Sequence, residues 1–165
     1  MNVLHNSALA EFRDPLGAAR TGEEVLLRIQ AEDACSVLLR LYQNDVGSEI
    51  KMEPVDGYWQ CRFTVPEEPC ILWYSFFLET EKEALYYGPP MGGRNQGEGL
   101  LYPEPCPSFQ LTVYARSYQT PEWFRGKIMY QIFPDRFRRG DPANLVRGAD
   151  YHGRMGRTVI LHENW

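Results

Sequence analysis

The chain has 165 residues, 44% of them apolar, 13% aromatic and 24% charged, enough apolar mass to bury a core, which excludes disorder of the whole chain. The 17 Lys and Arg against 22 Asp and Glu leave a formal net charge of −5, which offers no cationic footprint for nucleic acid or an anionic membrane surface. Met1 to Phe12 has neither the basic nor the apolar region of a signal peptide, and the longest apolar-rich stretch, Cys70 to Leu78, is too short to span a bilayer.

Along the chain, apolar and polar residues alternate with the period of a half-buried strand. Val25, Leu27 and Ile29 face inward around Arg28 and Gln30, and Val37, Leu39 and Leu41 do so around Arg40, giving two neighbouring strands turned by Glu32 to Ala34. Tyr58 to Val65 alternates Trp59, Cys61, Phe63 and Val65 against polar partners, and the Val55-Asp56-Gly57 turn before it suits a hairpin with Ser48 to Glu53 as the partner strand. Cys70 to Thr80 is the strongest strand, with Leu72, Tyr74, Phe76 and Leu78 on one face and Trp73, Ser75, Phe77 and Glu79 on the other. Ala84 to Gly88 and Phe109 to Tyr114 complete about seven short strands, the pattern of an all-β, immunoglobulin-like antiparallel β-sandwich over residues 1–115. Between the last two strands runs GPPMGGRNQGEG, Gly88 to Gly99. It lacks the G-x-x-x-x-G-K-[ST] string and the strand-to-helix context of a phosphate loop, so a plain mobile loop is expected. The four cysteines (Cys35, Cys61, Cys70, Cys106) have neither the spacing of a zinc site nor the density of a disulfide scaffold, and free thiols in a reducing cytoplasm are the expectation.

After Tyr114 the character changes. Residues 116–122 read as a polar linker, and 123–165 open a second domain on the apolar run Ile128 to Phe133, closed by Pro134. Such a run suits a strand buried on both faces of a parallel sheet. Each further parallel strand needs a crossover of a dozen or more residues, so the second domain is expected to be incomplete within this chain.

Pro121 to Phe137 carries the string W-x-x-x-K-x-x-Y-Q-I-F-P-D-R-F and resembles the first barrel strand of the α-amylase family, glycoside hydrolase family 13. It is similar above all to the branch of neopullulanases, cyclomaltodextrinases and amylopullulanases, in which a β-sandwich precedes a (β/α)8 barrel. Asn6-Ser7, the run Phe12 to Ala18 and Thr21-Gly22 also resemble the opening of that N-terminal domain. The resemblance implies retaining hydrolysis of α-glucosidic bonds in starch, pullulan or maltodextrin by a carboxylate nucleophile and a general acid of raised pKa. In the family these groups stand at the ends of later barrel strands, so no residue of this chain takes a catalytic role, Asp135 and Glu163 included. The branch often carries a calcium site after the first strand. Asp141 and Asn144 match its oxygen donors, whereas Arg139 and Leu145 replace two others, leaving half a ligand set and making a plain Gly-Asp turn the stronger expectation.

Within the sandwich, Trp73 and Phe77 stand at i and i+4 on the outward side of one strand and are the candidate substrate-binding residues, since sugars present flat C–H faces to aromatic rings. Burial against a second sheet or against the barrel is the competing expectation for both rings. The sequence thus predicts the N-terminal domain of an α-glucan hydrolase, inert alone and packed on its own barrel or a second subunit, with a stand-alone carbohydrate-binding module as the alternative. Arg139-Gly140-Asp141 carries no weight as an adhesion motif without an extracellular context. His162-Glu163 opens an H-E-x-x-H string that is not completed, and His5 and His152 stand alone, so ordinary polar histidines are expected rather than zinc ligands.

Overall fold

The alternating segments form strands with their apolar faces inward in the structure, a computed structural model that describes residues 2–44 and 46–133. Two compact units divide the chain, Met1–Gln119 and Thr120–Trp165. The first unit holds every strand among the described residues: β1 (Val3–Leu4), β2 (Arg13–Asp14), β3 (Ala19–Arg20), β4 (Glu24–Ala31), β5 (Ser36–Gln43), β6 (Val46–Lys51), β7 (Glu53–Val55), β8 (Tyr58–Thr64), β9 (Cys70–Glu79), β10 (Ala84–Gly88), β11 (Leu100–Tyr102) and β12 (Phe109–Tyr114).

These strands make two sheets. The first runs β1-β4-β8-β7 with β2 also on β4, and the second is centred on β9, flanked by β5 and β6 on one edge and by β10, β11, β12 and β3 on the other. Val25, Leu27, Ile29 and Cys61 of the first sheet share one buried core with Val37, Leu39, Leu72, Tyr74, Phe76, Leu78, Phe109 and Leu111 of the second. The result is the antiparallel β-sandwich that the alternation predicts, apart from a two-residue parallel pairing of β3 with β12.

Two expectations about partners are corrected. The segment expected as one strand over 48–53 is split at Met52: β6 pairs with β5 in the second sheet, while β7 pairs with β8 in the first. Met52 is 1% exposed and its N–H donates to the Val37 carbonyl at 3.0 Å, so the chain changes layers at a residue fixed in the core. Likewise β4 and β5 are not paired neighbours. Glu32 to Ala34 carries the chain from one sheet to the other, and β5 lies on β9 instead. The expected hairpin is present, with Asp56 at φ 50° and Gly57 at φ 82°, the two positive values of a type I′ turn whose twist matches the strands it joins.

The segment Gly88 to Gly99 is tied down rather than free. Asn6 and Glu98 form an isolated antiparallel bridge, Ser7 N–H donates to the Gly97 carbonyl at 2.9 Å, Gly97 N–H returns to Ser7 Oγ at 2.8 Å, and Gln110 N–H donates to the Asn95 carbonyl at 2.9 Å. Gly99 closes the segment where a Cβ would lie 2.3 Å from Cε1 of Tyr87 and 2.8 Å from the Gly88 carbonyl oxygen.

A polar knot sits inside the sandwich. His5, fully buried, is surrounded by the rings of Phe12, Tyr74, Phe76 and Phe109 at centroid distances of 4.8–5.8 Å. Its Nδ1 is 2.7 Å from the Arg28 carbonyl oxygen and its Nε2 is 3.0 Å from the Tyr74 hydroxyl. A carbonyl can only accept, so Nδ1 carries the proton and Nε2 accepts from Tyr74. The Tyr87 hydroxyl donates to the His5 carbonyl at 3.0 Å and accepts from the N–H groups of His5 and Gly99, both at 3.1 Å. Burial pulls the His5 pKa down to about 3, against the hydrogen bond to Arg28 and assisted by the nearby Arg13 charge.

In the second unit, the described residues contain a 3-10 turn at Glu122–Phe124, with the rings of Trp123 and Phe124 in edge-to-face contact at 5.5 Å. The barrel strand expected at Ile128 to Phe133 is not formed: none of these residues lies in a strand. A strand buried on both faces requires paired neighbours for its backbone donors and acceptors, and the described residues of this unit supply none. No helix among the described residues is long and apolar enough to cross a membrane.

Two outcomes follow for stability. His5 is held neutral in the folded state down to about pH 3, while the ordinary value of a histidine is 6.5, so its contribution is complete above pH 6.5 and is lost progressively as the pH falls toward 3. Between pH 7 and pH 5 urea denaturation should show a loss of about 2 kcal/mol from this group, and the His5→Gln variant should lose that part of the pH slope. The Gly99→Ala variant should be destabilised by roughly 1–3 kcal/mol through overpacking against Tyr87, measured by the same titration.

Candidate functional site

Because successive side chains of a strand point to opposite faces, the burial of Leu72, Tyr74, Phe76 and Leu78 turns Trp73, Ser75 and Phe77 to the outer face of the second sheet. Residues directly opposite one another across a ladder share a face, and the register sets Tyr42 opposite Trp73, Arg40 opposite Ser75, and both Leu38 and Tyr86 opposite Phe77. A cleft of about 1010 Å³ opens over part of this face. Arg40, Tyr42, Trp73 and Ser75 of the sheet face line it, together with Glu68, Pro69, Ile71, Asn95, Pro105, Cys106 and Ser108.

Of the two aromatic residues singled out in the sequence, Trp73 lines the cleft and Phe77 does not. Four residues along a strand span about 13 Å, and the interval between the two rings is occupied. Arg40 places its guanidinium carbon 5.4 Å from the Tyr42 ring centroid and 5.3 Å from that of Tyr86, a cation held by ring faces. Phe77 packs on Tyr86 instead, with ring centroids 5.1 Å apart. The structure therefore joins Trp73 with Tyr42 and Arg40, and separates Phe77 from them. Arg40 Nε stands 3.3 Å from Glu49 Oε1 across the β5–β6 pair, without the alignment of a hydrogen bond.

Ser75 is 2% exposed, and it and Cys106 both line the cleft and hydrogen-bond to each other. Burial raises the Cys106 thiol pKa, while hydrogen bonds from its own backbone and from Ser75, and the Arg40 charge, pull the other way. All four cysteines are free thiols, as expected, and burial pushes Cys61 up to about 12. Arg40, Tyr42 and Tyr86 were missed by sequence reasoning. Their outward positions are legible from alternation, but nothing local says that β5 lies against β9.

Among the described residues no group of three or more His, Cys, Asp or Glu is placed to hold a metal ion. The calcium candidates Asp141 and Asn144 lie outside the described residues, as do Asp135, His152, His162 and Glu163. His5 proves to be a structural core residue with both ring nitrogens engaged.

No protein-family profile matches the chain. Curated relatives do. An amylopullulanase of Thermoanaerobacterium thermosulfurigenes is 33% identical over 183 residues, taking in 99% of this chain and 9% of that protein. Neopullulanase 2 of Thermoactinomyces vulgaris is 41% identical over 87 residues, 51% of this chain and 14% of the relative. Among solved structures, a cyclomaltodextrinase superposes over 88% of this chain and 25% of its own with a TM-score of 0.51 at 23% identity, which establishes likeness of fold. The chain spans only 9–13% of the length of the amylopullulanases it matches. The relatives that it matches are amylopullulanases, neopullulanases and cyclomaltodextrinases, enzymes of the α-amylase family, glycoside hydrolase family 13, and the match is to an N-terminal region of them.

Proposed function

We propose that this chain is the N-terminal part of an α-glucan-degrading glycoside hydrolase, and that its sandwich serves that enzyme by binding glucan in the Trp73 cleft. The observation that carries the second half is the composition of the cleft. A flat indole and a phenol ring, Trp73 and Tyr42, stand side by side on the sheet face, with Arg40, Ser75, Asn95 and Ser108 around them. Aromatic faces suit the C–H faces of glucose units, and the surrounding donors and acceptors suit its hydroxyls. Arg40 is offset by Glu49, and Glu68 lines the cleft, so the cleft favours an uncharged ligand over an ion. Sugar hydrolysis itself is assigned to residues outside this chain, because the family resemblance attaches the catalytic carboxylates to later barrel strands. A reducing, cytoplasmic setting is consistent with the free thiols.

Isothermal titration of the 165-residue chain with maltohexaose checks the binding role. Saturable binding is expected, weakened about tenfold by Trp73→Ala, the equivalent of ~1.4 kcal/mol, with Phe77→Ala having the smaller effect. Equal affinity in the Trp73→Ala variant would show that the cleft is not the glucan site. The same chain incubated with starch or pullulan should release no reducing sugar.

A further inference from the structure

A second cleft, of about 710 Å³, shares only Asn95 with the first. Its walls include Ser7, Arg13, Arg94, Gln96, Gln110 and Thr112, and none of its lining residues is acidic, in a chain whose acids outnumber its bases 22 to 17. Arg13 is placed there by the pairing of β2 with β4, which sets it opposite Leu27. The residue is 4% exposed. Its Nη1 donates to the Gln110 carbonyl at 3.1 Å, its Nη2 donates to the Gly17 carbonyl and the side chain also hydrogen-bonds the Tyr74 hydroxyl, but its Nε is buried without a hydrogen-bond partner. Among the described residues it forms no ion pair.

A buried guanidinium with no counter-anion is costly, because carbonyl dipoles replace only part of the hydration it gives up. Arg94, exposed on the pinned Gly88 to Gly99 segment, is a second arginine lining the same cleft. Gln110 Nε2 donates to Thr112 Oγ1 at 3.1 Å, which leaves the Thr112 hydroxyl proton free to donate elsewhere. Two planar guanidinium groups with neutral donors around them, and no competing carboxylate, match the oxygens of a tetrahedral oxyanion.

We propose that this cleft binds a phosphate group between Arg13 and Arg94, carried either by the free ion or by a phosphorylated sugar. Recognition rests on the guanidinium groups and not on a glycine-rich backbone cradle. It is independent of glucan binding at Trp73.

Calorimetric titration of the 165-residue chain at low ionic strength with inorganic phosphate, glucose 6-phosphate and glucose tests this. Saturable binding of at least one phosphate is expected. Tighter binding of glucose 6-phosphate identifies a phosphorylated sugar as the ligand, and equal or weaker binding identifies the free ion. Arg94→Gln, at an exposed position, should weaken binding about tenfold with the circular dichroism spectrum unchanged, and Arg13→Lys should weaken it as well. The charge control Lys82→Gln, in the β9–β10 turn, should have no effect. The proposal is overturned if neither phosphate saturates the chain up to ~20 mM, if Arg94→Gln binds as tightly as the parent, or if glucose binds as well as glucose 6-phosphate.

Discussion

The hydrogen bonds of His5 are the constraint on which the rest of the sandwich depends. One buried imidazole ties β1's continuation to the Arg28 carbonyl of the first sheet and to the Tyr74 hydroxyl of the second, and Tyr87 engages the backbone of the same residue on both sides. Each of these groups would carry an unmet desolvation penalty of roughly 1–3 kcal/mol if its partner were lost. A polar cluster that satisfies its members in one arrangement only also selects that arrangement over shifted ones. A one-residue slip of β9 would turn Tyr74 outward and bring Trp73 and Ser75 into the core. The His5–Tyr74 bond is available in one of those two registers, and the outer face follows from it.

That face and the neighbouring cleft illustrate how one scaffold can display two electrostatic characters. Around Trp73, the positive charge of Arg40 faces two tyrosine rings and is set beside Glu49, leaving little uncompensated charge. Around Arg13, the guanidinium hydrogens meet the Gln110 and Gly17 carbonyls and the Tyr74 hydroxyl, and no acidic residue lines the cleft. Asn95 separates the two clefts, and its carbonyl is held by Gln110, so the wall between them is fixed by a backbone hydrogen bond.

Much of the sandwich was legible from alternation, because Val37, Leu39 and Leu41, or Leu72 through Leu78, state by period alone which side is buried. What alternation cannot state is which strand lies beside which. The split of 48–53 at Met52 and the crossing between β4 and β5 depend on contacts far apart in sequence, and a single apolar residue between two polar ones gives no local sign of a change of layer. The two-residue strands β1, β2 and β3 are too short to show a period at all, yet they deliver His5 and Arg13. For the same reason alternation marks Trp73 but not Arg40: an outward Arg in a strand is ordinary until Tyr42 and Tyr86 stand against it. The Gly88 to Gly99 segment read as free because its anchors, Ser7 and Gln110, lie elsewhere in the chain.

His5 is a neutral, singly oriented imidazole locked between the sheets. Nitrogen-15 NMR of the imidazole ring in the 165-residue chain, followed through acid pH, addresses it directly. The expected result is the Nδ1–H tautomer with Nε2 unprotonated and no titration between pH 8 and about pH 4, in keeping with a pKa lowered to about 3. A ring that titrates near its ordinary value of 6.5, or one that carries its proton on Nε2, would contradict it.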